Sequence, residues 1–155
     1  MIISNMMKKI VIHFIFTLTY LFSIEVVLAN QSNFYNDGIS LFKIEQYDKS
    51  KILFEKDIVF NPKNSGSYLY LAKIFDQKGN DKEQEINLIN VLTINPNNDE
   101  AIFMLTMLKI KQSDYKKSKE LIDRFKKVCN LFCSKNKEIA EKFKKLSPDD
   151  EKNNY

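Results

Sequence analysis

Ile58-Val59-Phe60-Asn61-Pro62-Lys63-Asn64 and Leu92-Thr93-Ile94-Asn95-Pro96-Asn97-Asn98 are one segment written twice, with the two prolines 34 residues apart. In each copy an apolar stretch runs into Asn-Pro-x-Asn. Proline lacks the N–H that a helix needs and its ring clashes with the preceding turn, so each copy ends a helix and biases the Asn before it away from helical dihedrals. A helix-ending segment that returns on this period points to stacked helical hairpins, none of which can bury its apolar face alone. Such an architecture generally holds other proteins rather than transforming small molecules.

Working outward from the prolines, the same period aligns the rest of the chain. The first copy carries Phe34, Asp37, Gly38, Leu41, Ser50, Phe54 and Pro62, and the second carries Tyr68, Leu71, Ala72, Phe75, Gln84, Leu88 and Pro96. A third copy reads Ile102, Leu105, Thr106, Lys109, Ser118, Ile122 and Asn130, and Tyr47-Asp48-Lys49-Ser50-Lys51 returns in it as Tyr115-Lys116-Lys117-Ser118-Lys119, two periods on. Small residues at Gly38, Ala72, Ser50 and Ser118 let the two helices of a hairpin approach, while the large slots fill the space between hairpins. These slots resemble the tetratricopeptide repeat, whose pattern is an aromatic, Leu-Gly and Tyr on the first helix, Ala and Phe on the second, and Pro at the end. Asp37 and Gln84 depart from it, and the third copy has lost the aromatic, the small-residue optimum and the proline. The alternative is a generic helical bundle with accidental spacing.

The expected fold is therefore all-α: a solenoid of about three tetratricopeptide hairpins with a C-terminal capping helix. Helices are expected at about 33–44, 47–61, 65–78, 81–95, 99–111 and 114–129. Gly79-Asn80 and Gln112-Ser113 lie at hairpin turns, with Asp81 and Asp114 near the starts of second helices. Between Lys137 and Leu146, Ile139, Ala140, Phe143 and Leu146 recur at helical spacing, which suits a cap over the third repeat. The tetratricopeptide domain is expected over 30–146, with repeats at about 31–64, 65–98 and 99–132 and the cap at 134–146, and 147–155 as a disordered tail with almost nothing to bury.

The first 29 residues read as an address. Lys8 and Lys9 precede the apolar run from Ile10 to Phe22, and Val27-Leu28-Ala29 supplies the small-residue site of a secretory signal peptide, with cleavage expected after Ala29. The run of 13 residues is short of the roughly 20 that a permanent span requires, although an uncleaved anchor is the competing reading. Cleavage would remove His13, the only histidine, and with it the usual general base near neutral pH. It would also lower the formal charge from +4 to +3, with 22 basic against 19 acidic side chains. The expected location is exported, periplasmic or envelope-associated, with no stable membrane span after cleavage.

Charge and motifs narrow the function classes. The densest basic run, Lys116, Lys117, Lys119, Arg124, Lys126 and Lys127, is interrupted by Glu120 and Asp123, which reads as a solvated helix face; no nucleic-acid partner is expected. No phosphate-binding glycine loop, nucleophile elbow or metal-ligand helix motif occurs. Glu83 and Glu85, and Asp149 and Asp150, have no pairing geometry for acid–base work. The chain is not expected to be an enzyme, and no catalytic residue, cofactor or metal ligand is nominated.

The resemblance implies that first helices of successive hairpins line a concave groove in which a peptide or helix docks. On this chain the partner-binding candidates are Tyr35, Ile39, Phe42 and Lys43, then Leu69 and Lys73 with Asp76 and Gln77, then Phe103, Met107 and Lys111 with Ile110. Aromatic anchors and an adaptable methionine suit a protein partner. Some of these residues could instead pack beneath the chain before Phe34 or against the cap. One subset of the family grips a terminal carboxylate with a Lys/Asn/Arg clamp. Tyr35, Ile39, Tyr70, Glu100 and Met104 occupy those slots, so neither cation nor amide is available and a cochaperone role is disfavoured.

Cys129 and Cys133 are the only cysteines. In an oxidising compartment two such close cysteines read first as a disulfide. On a continuous helix their side-chain directions fit poorly, so the bond needs a turn over Asn130–Phe132, where the repeat gives way to the cap. The closed loop is small, worth on the order of 1–2 kcal/mol of chain entropy. A reactive or metal-binding dithiol and free buried thiols are the alternatives. A Cys-x-x-x-Cys before a final helix is also similar to short exported tetratricopeptide proteins of alphaproteobacterial type. Taken together, the expected function is an exported protein–protein interaction module, an envelope adaptor or assembly factor with a peptide or protein partner. The alternatives are a periplasmic thiol-redox or metal-handling accessory using the cysteine pair, and a structural module that oligomerises through its helical faces.

Overall fold

Tight turns at a fixed spacing, not one long amphipathic rod, are what two Asn-Pro-x-Asn segments require, and the computed structural model contains them. It describes residues 33–146, together with 13–15 and 17, which are helical. Apart from those four residues, the expected signal segment 1–29 lies outside the described residues, as does the segment 147–155. Within 33–146 the helices are α1 (Phe34–Lys43), α2 (Tyr47–Phe60), α3 (Ser65–Gln77), α4 (Asp81–Ile94), α5 (Asp99–Lys111), α6 (Tyr115–Val128) and α7 (Asn136–Leu146), with a 3-10 turn at Cys133–Lys135. No strand occurs among the described residues. The fold is an all-α solenoid: α1 with α2, α3 with α4 and α5 with α6 form hairpins, α2 packs on α3 and α4 on α5, and α7 lies against α5 and α6.

The period is written into the backbone. Glu45, Gly79 and Ser113, spaced by one period, turn the three hairpins with φ of 60°, 66° and 59°. The next residue donates its amide across each turn: Gln46 to the Leu41 carbonyl, Asn80 to Phe75 and Asp114 to Lys109, at 3.0, 2.9 and 3.0 Å. Gly79 adopts this left-handed conformation without penalty, whereas Glu45 and Ser113 carry a Cβ that disfavours it. Asn80 and Asp114 then cap the second helices, their side-chain oxygens accepting from the amides of Glu83 and Lys117. The cap of α4 is thus Asn80, one residue before Asp81.

The Asn-Pro-x-Asn segments work as paired devices. Asn61 and Asn95 donate their amides to the carbonyls of Asp57 and Val91, closing the outgoing helices, and their own carbonyls accept from Asn64 and Asn98. Asn64 and Asn98 then cap the incoming helices by accepting from Gly66 and Ala101. Every orphaned amide so engaged is one fewer unmet donor at a helix start.

Two apolar clusters fill the stack. Phe54, Leu71 and Ile74 centre the first, and the second runs from Leu69, Ala72 and Leu88 through Leu105, Leu121 and Phe125 to Ile139 and Phe143 of the cap. Close approach depends on small residues. A Cβ on Gly38 would sit 2.8 Å from the Phe54 ring, and the buried Ser50 hydroxyl donates to the Gly38 carbonyl at 2.8 Å.

Candidate functional site

The first helices of the hairpins carry the residues nominated from the sequence, and packing divides them into two groups. On α1, Tyr35, Ile39 and Phe42 are half-buried against the first cluster. Tyr35 meets Phe54 and Tyr70 edge-on, with ring centroids 6.0 and 6.1 Å apart, and Phe42 meets Tyr47 and Tyr70 at 5.3 and 5.1 Å. These rings form an aromatic block in which Tyr70 of α3 is shared. Lys43 is exposed, as are Asp76 and Gln77. Leu69 lies in the core, 9% exposed, because it turns toward Leu88 and Ala72.

Lys73 is held between two partners. Its ammonium is 2.7 Å from Glu100 of α5 and 5.0 Å from the centroid of the Tyr70 ring, so it ties the second hairpin to the third. Three slots where a carboxylate clamp would act are consequently filled by Tyr35 against Tyr70 and by Glu100 against Lys73.

The second group does come together. Phe103, Met107 and Lys111 line a cavity of about 370 Å³ with Asp76, Gln84, Met104, Leu108, Glu138 and Lys142. Its walls come from α3, α4, α5 and the cap, so it exists only because α7 lies alongside α5. Phe103 is braced from behind by Phe125 and Phe132, centroids at 6.3 and 6.1 Å, with the Lys135 ammonium 5.4 Å over its ring. Met107 and Ile110 pack partly against the core. Lys111 reaches Asp81 at 2.6 Å while remaining 60% exposed, so its charge still faces solvent. Phe103, Met104, Met107 and Leu108 thus give the cavity an apolar floor, and Asp76, Lys111, Glu138 and Lys142 give it a charged rim.

Gln84, Glu138 and Lys142 were not singled out as ligand-facing, and Met104 only as the occupant of a clamp slot. Gln84 had a signal: it departs from the small-residue slot of the repeat, and it is 3% exposed on the cavity wall. Glu138 and Lys142 had none, since the position of a cap is not part of the repeat pattern.

Two carboxylates organise junctions between helices. Asp57 is 2% exposed at a position where the later repeats have Val91 and Phe125. It accepts from Asn61 at 3.0 Å, from Asn64 at 2.7 Å and from the Ser67 hydroxyl, so three neutral donors of the first junction converge on it. Nearby, a Cβ on Gly66 would lie 2.4 Å from the Tyr35 hydroxyl oxygen, so only glycine admits that ring. Burial, then the neighbouring Tyr70 and Asp57, raise the Tyr35 hydroxyl above its usual value of 10.0.

The second carboxylate is Asp99, at the start of α5. Cys129 and Cys133 lie at disulfide distance with Cα atoms 5.2 Å apart, and the loop between them folds around Asp99, whose Oδ2 accepts from the amides of Asn130 and Phe132 at 2.8 and 2.9 Å. Desolvation pushes the Asp99 carboxyl up, but amides of Asn130, Phe132, Leu131 and Glu100 outweigh it and hold it below the usual 3.8. Cys129 occupies the slot of Asn61 and Asn95, and like them donates its amide back into the outgoing helix, to Phe125 at 2.8 Å. The cysteine loop therefore stands where the first two repeats use Asn-Pro-x-Asn, and it aims α7 along α5. Among the described residues no group of three or more His, Cys, Asp or Glu side chains gathers at metal-binding distance.

No family model matches the chain. The anaphase-promoting complex subunit 3 of Schizosaccharomyces pombe (strain 972 / ATCC 24843) is 30% identical over 80 residues, covering 52% of this chain. The chain spans 12% of the length of that relative. The helical hairpins and this similarity fit a tetratricopeptide-like family. No helix among the described residues is long and apolar enough to cross a membrane.

Proposed function

We propose that this chain is an exported protein–protein interaction module, an adaptor or assembly factor of the cell envelope that takes a peptide or helix of a protein partner on its concave face. The observation that carries the reading is the cavity in which Phe103, Met104, Met107 and Leu108 lie between the exposed charges of Lys111 and Lys142. An apolar floor with a polar rim suits a side chain presented by another polypeptide. Similarity to a protein named as a subunit of a complex favours an assembling role over a catalytic one. Export and envelope location rest on the Lys8-Lys9, Ile10 to Phe22 and Ala29 pattern.

The half-buried Phe42 and Phe103 are unsuitable probes, since both brace neighbouring rings. Met107→Glu combined with Lys111→Glu changes the cavity floor and rim while leaving the aromatic blocks intact. The expected result is loss of a cross-linked partner complex with the thermal unfolding curve shifted by only a few degrees. Retention of that complex would place the partner on another face.

A further inference from the structure

We propose that the segment 147–155 docks back on the basic end of the concave face, beside the end of α7. A second cavity there, of about 440 Å³, is bordered by Met107, Ile110 and Leu146 and by Lys111, Lys142 and Lys145, and no acidic residue lines it. The neighbouring cavity, by contrast, carries both Asp76 and Glu138. Leu146 is the last residue of α7 and borders the basic cavity, so the chain leaves its helix at the mouth of this site. Proline lacks the N–H of a helical hydrogen bond and disfavours helical dihedrals in the residue before it, so the sequence Ser147-Pro148 does not favour continuing α7. Asp149-Asp150-Glu151 follow at once. With at most about 3.3–3.6 Å per extended residue, a tether of three to five residues from Leu146 gives these acids a reach of about 10–18 Å.

One exposed ion pair contributes little, roughly 0–1 kcal/mol. Three acids facing three lysines over an apolar floor, on a tether that sets a millimolar effective concentration, act together. Lys111 keeps donor capacity beyond its bond to Asp81, because an ammonium carries three N–H groups. Docking here covers Met107 and Lys111, so it competes with any occupant of the adjoining cavity; the docking itself does not depend on a partner being bound there.

The test is zero-length carbodiimide cross-linking of the unaltered chain, read by mass spectrometry of proteolytic peptides. Lys142 and Lys145 are too close in sequence to the acids to be informative, so the readout is Lys111. An intramolecular Lys111 link to Asp149, Asp150 or Glu151 is expected in the monomer fraction. It should fall several-fold at about 0.5 M salt, where exposed charges are screened, and disappear in the Asp149→Asn, Asp150→Asn, Glu151→Gln variant. The Lys111 to Asp81 link is the internal control. That control link appearing without any Lys111 link to 149–151 overturns the proposal, and a link confined to a dimer fraction overturns it in favour of a second copy as the occupant.

Discussion

Asp57 is a buried carboxylate at a position where the later repeats place Val91 and Phe125. Where Val91 and Phe125 add apolar contact, Asp57 gathers Asn61, Asn64 and Ser67 and so locks the Asn-Pro-x-Asn turn to the helix before it and the helix after it. A buried carboxylate is tolerable only when its lone pairs are met, and its removal leaves the donors unmet. Asp57→Ala is expected to destabilise the chain by about 2–4 kcal/mol, measured as a lower urea midpoint with unchanged slope. A slope that also falls would indicate that the first hairpin unfolds separately from the rest. Asp57 was invisible in the sequence because a carboxylate on a second helix reads as a solvated face, and only the fold shows that this one points into the junction. Glu45 was missed for a related reason: a charged residue gives no turn signal, although it takes the same left-handed conformation as Gly79 and Ser113.

The helices themselves were legible nearly to their ends. Pro62 and Pro96 set two boundaries and the 34-residue period carried them to the rest, so the observed α2 and α4 differ from expectation by one residue each, at ends that fray. The cysteine loop was legible as a turn, but its partner was not, since nothing in the spacing joins Asp99 to Asn130 and Phe132. That contact has a pH signature. The Asp99 pKa is depressed in the folded chain, so its contribution is fully present above the unfolded value near 3.8 and is lost as pH falls through the lower folded value. Asp99→Asn is expected to cost about 1 kcal/mol at neutral pH, discounted for solvent exposure, and to flatten the stability loss below pH 3.8 seen in urea titrations. A second prediction belongs to the same element. Cys129→Ser with Cys133→Ser removes a small closed loop, a loss of about 1–2 kcal/mol. The change should concentrate in hydrogen exchange of α7, leaving α1 to α4 protected as before. Uniform loss of protection would mean that the loop supports the whole stack and not the angle of the cap.

At the scale of the molecule, three hairpins and a cap stack in order, and the chemistry along their first helices changes from one end to the other. The first-hairpin end is an aromatic block closed by Tyr35, Phe42, Tyr70 and the Lys73 to Glu100 pair, and the cap end is open, apolar and increasingly basic. The repeat register placed Phe103, Met107 and Lys111 on one face. It did not reveal that Tyr70 would cover the α1 aromatics, that Leu69 would turn inward, or that Glu138 and Lys142 would complete the wall, because those outcomes depend on neighbouring hairpins and on the cap. The second helices α2 and α4 also carry exposed apolar side chains, with Ile52, Val59, Ile86 and Ile89 between 43% and 74% exposed, so they form the natural comparison surface. The central claim, that the concave face at the cap is where a partner is held, is tested most directly by site-specific photo-cross-linking in the native host. A photoreactive amino acid is placed at Met107 in one variant and at Ile86 in another. The account predicts a discrete adduct from position 107 that Lys111→Glu abolishes, and none from position 86; an adduct from position 86 alone would contradict it.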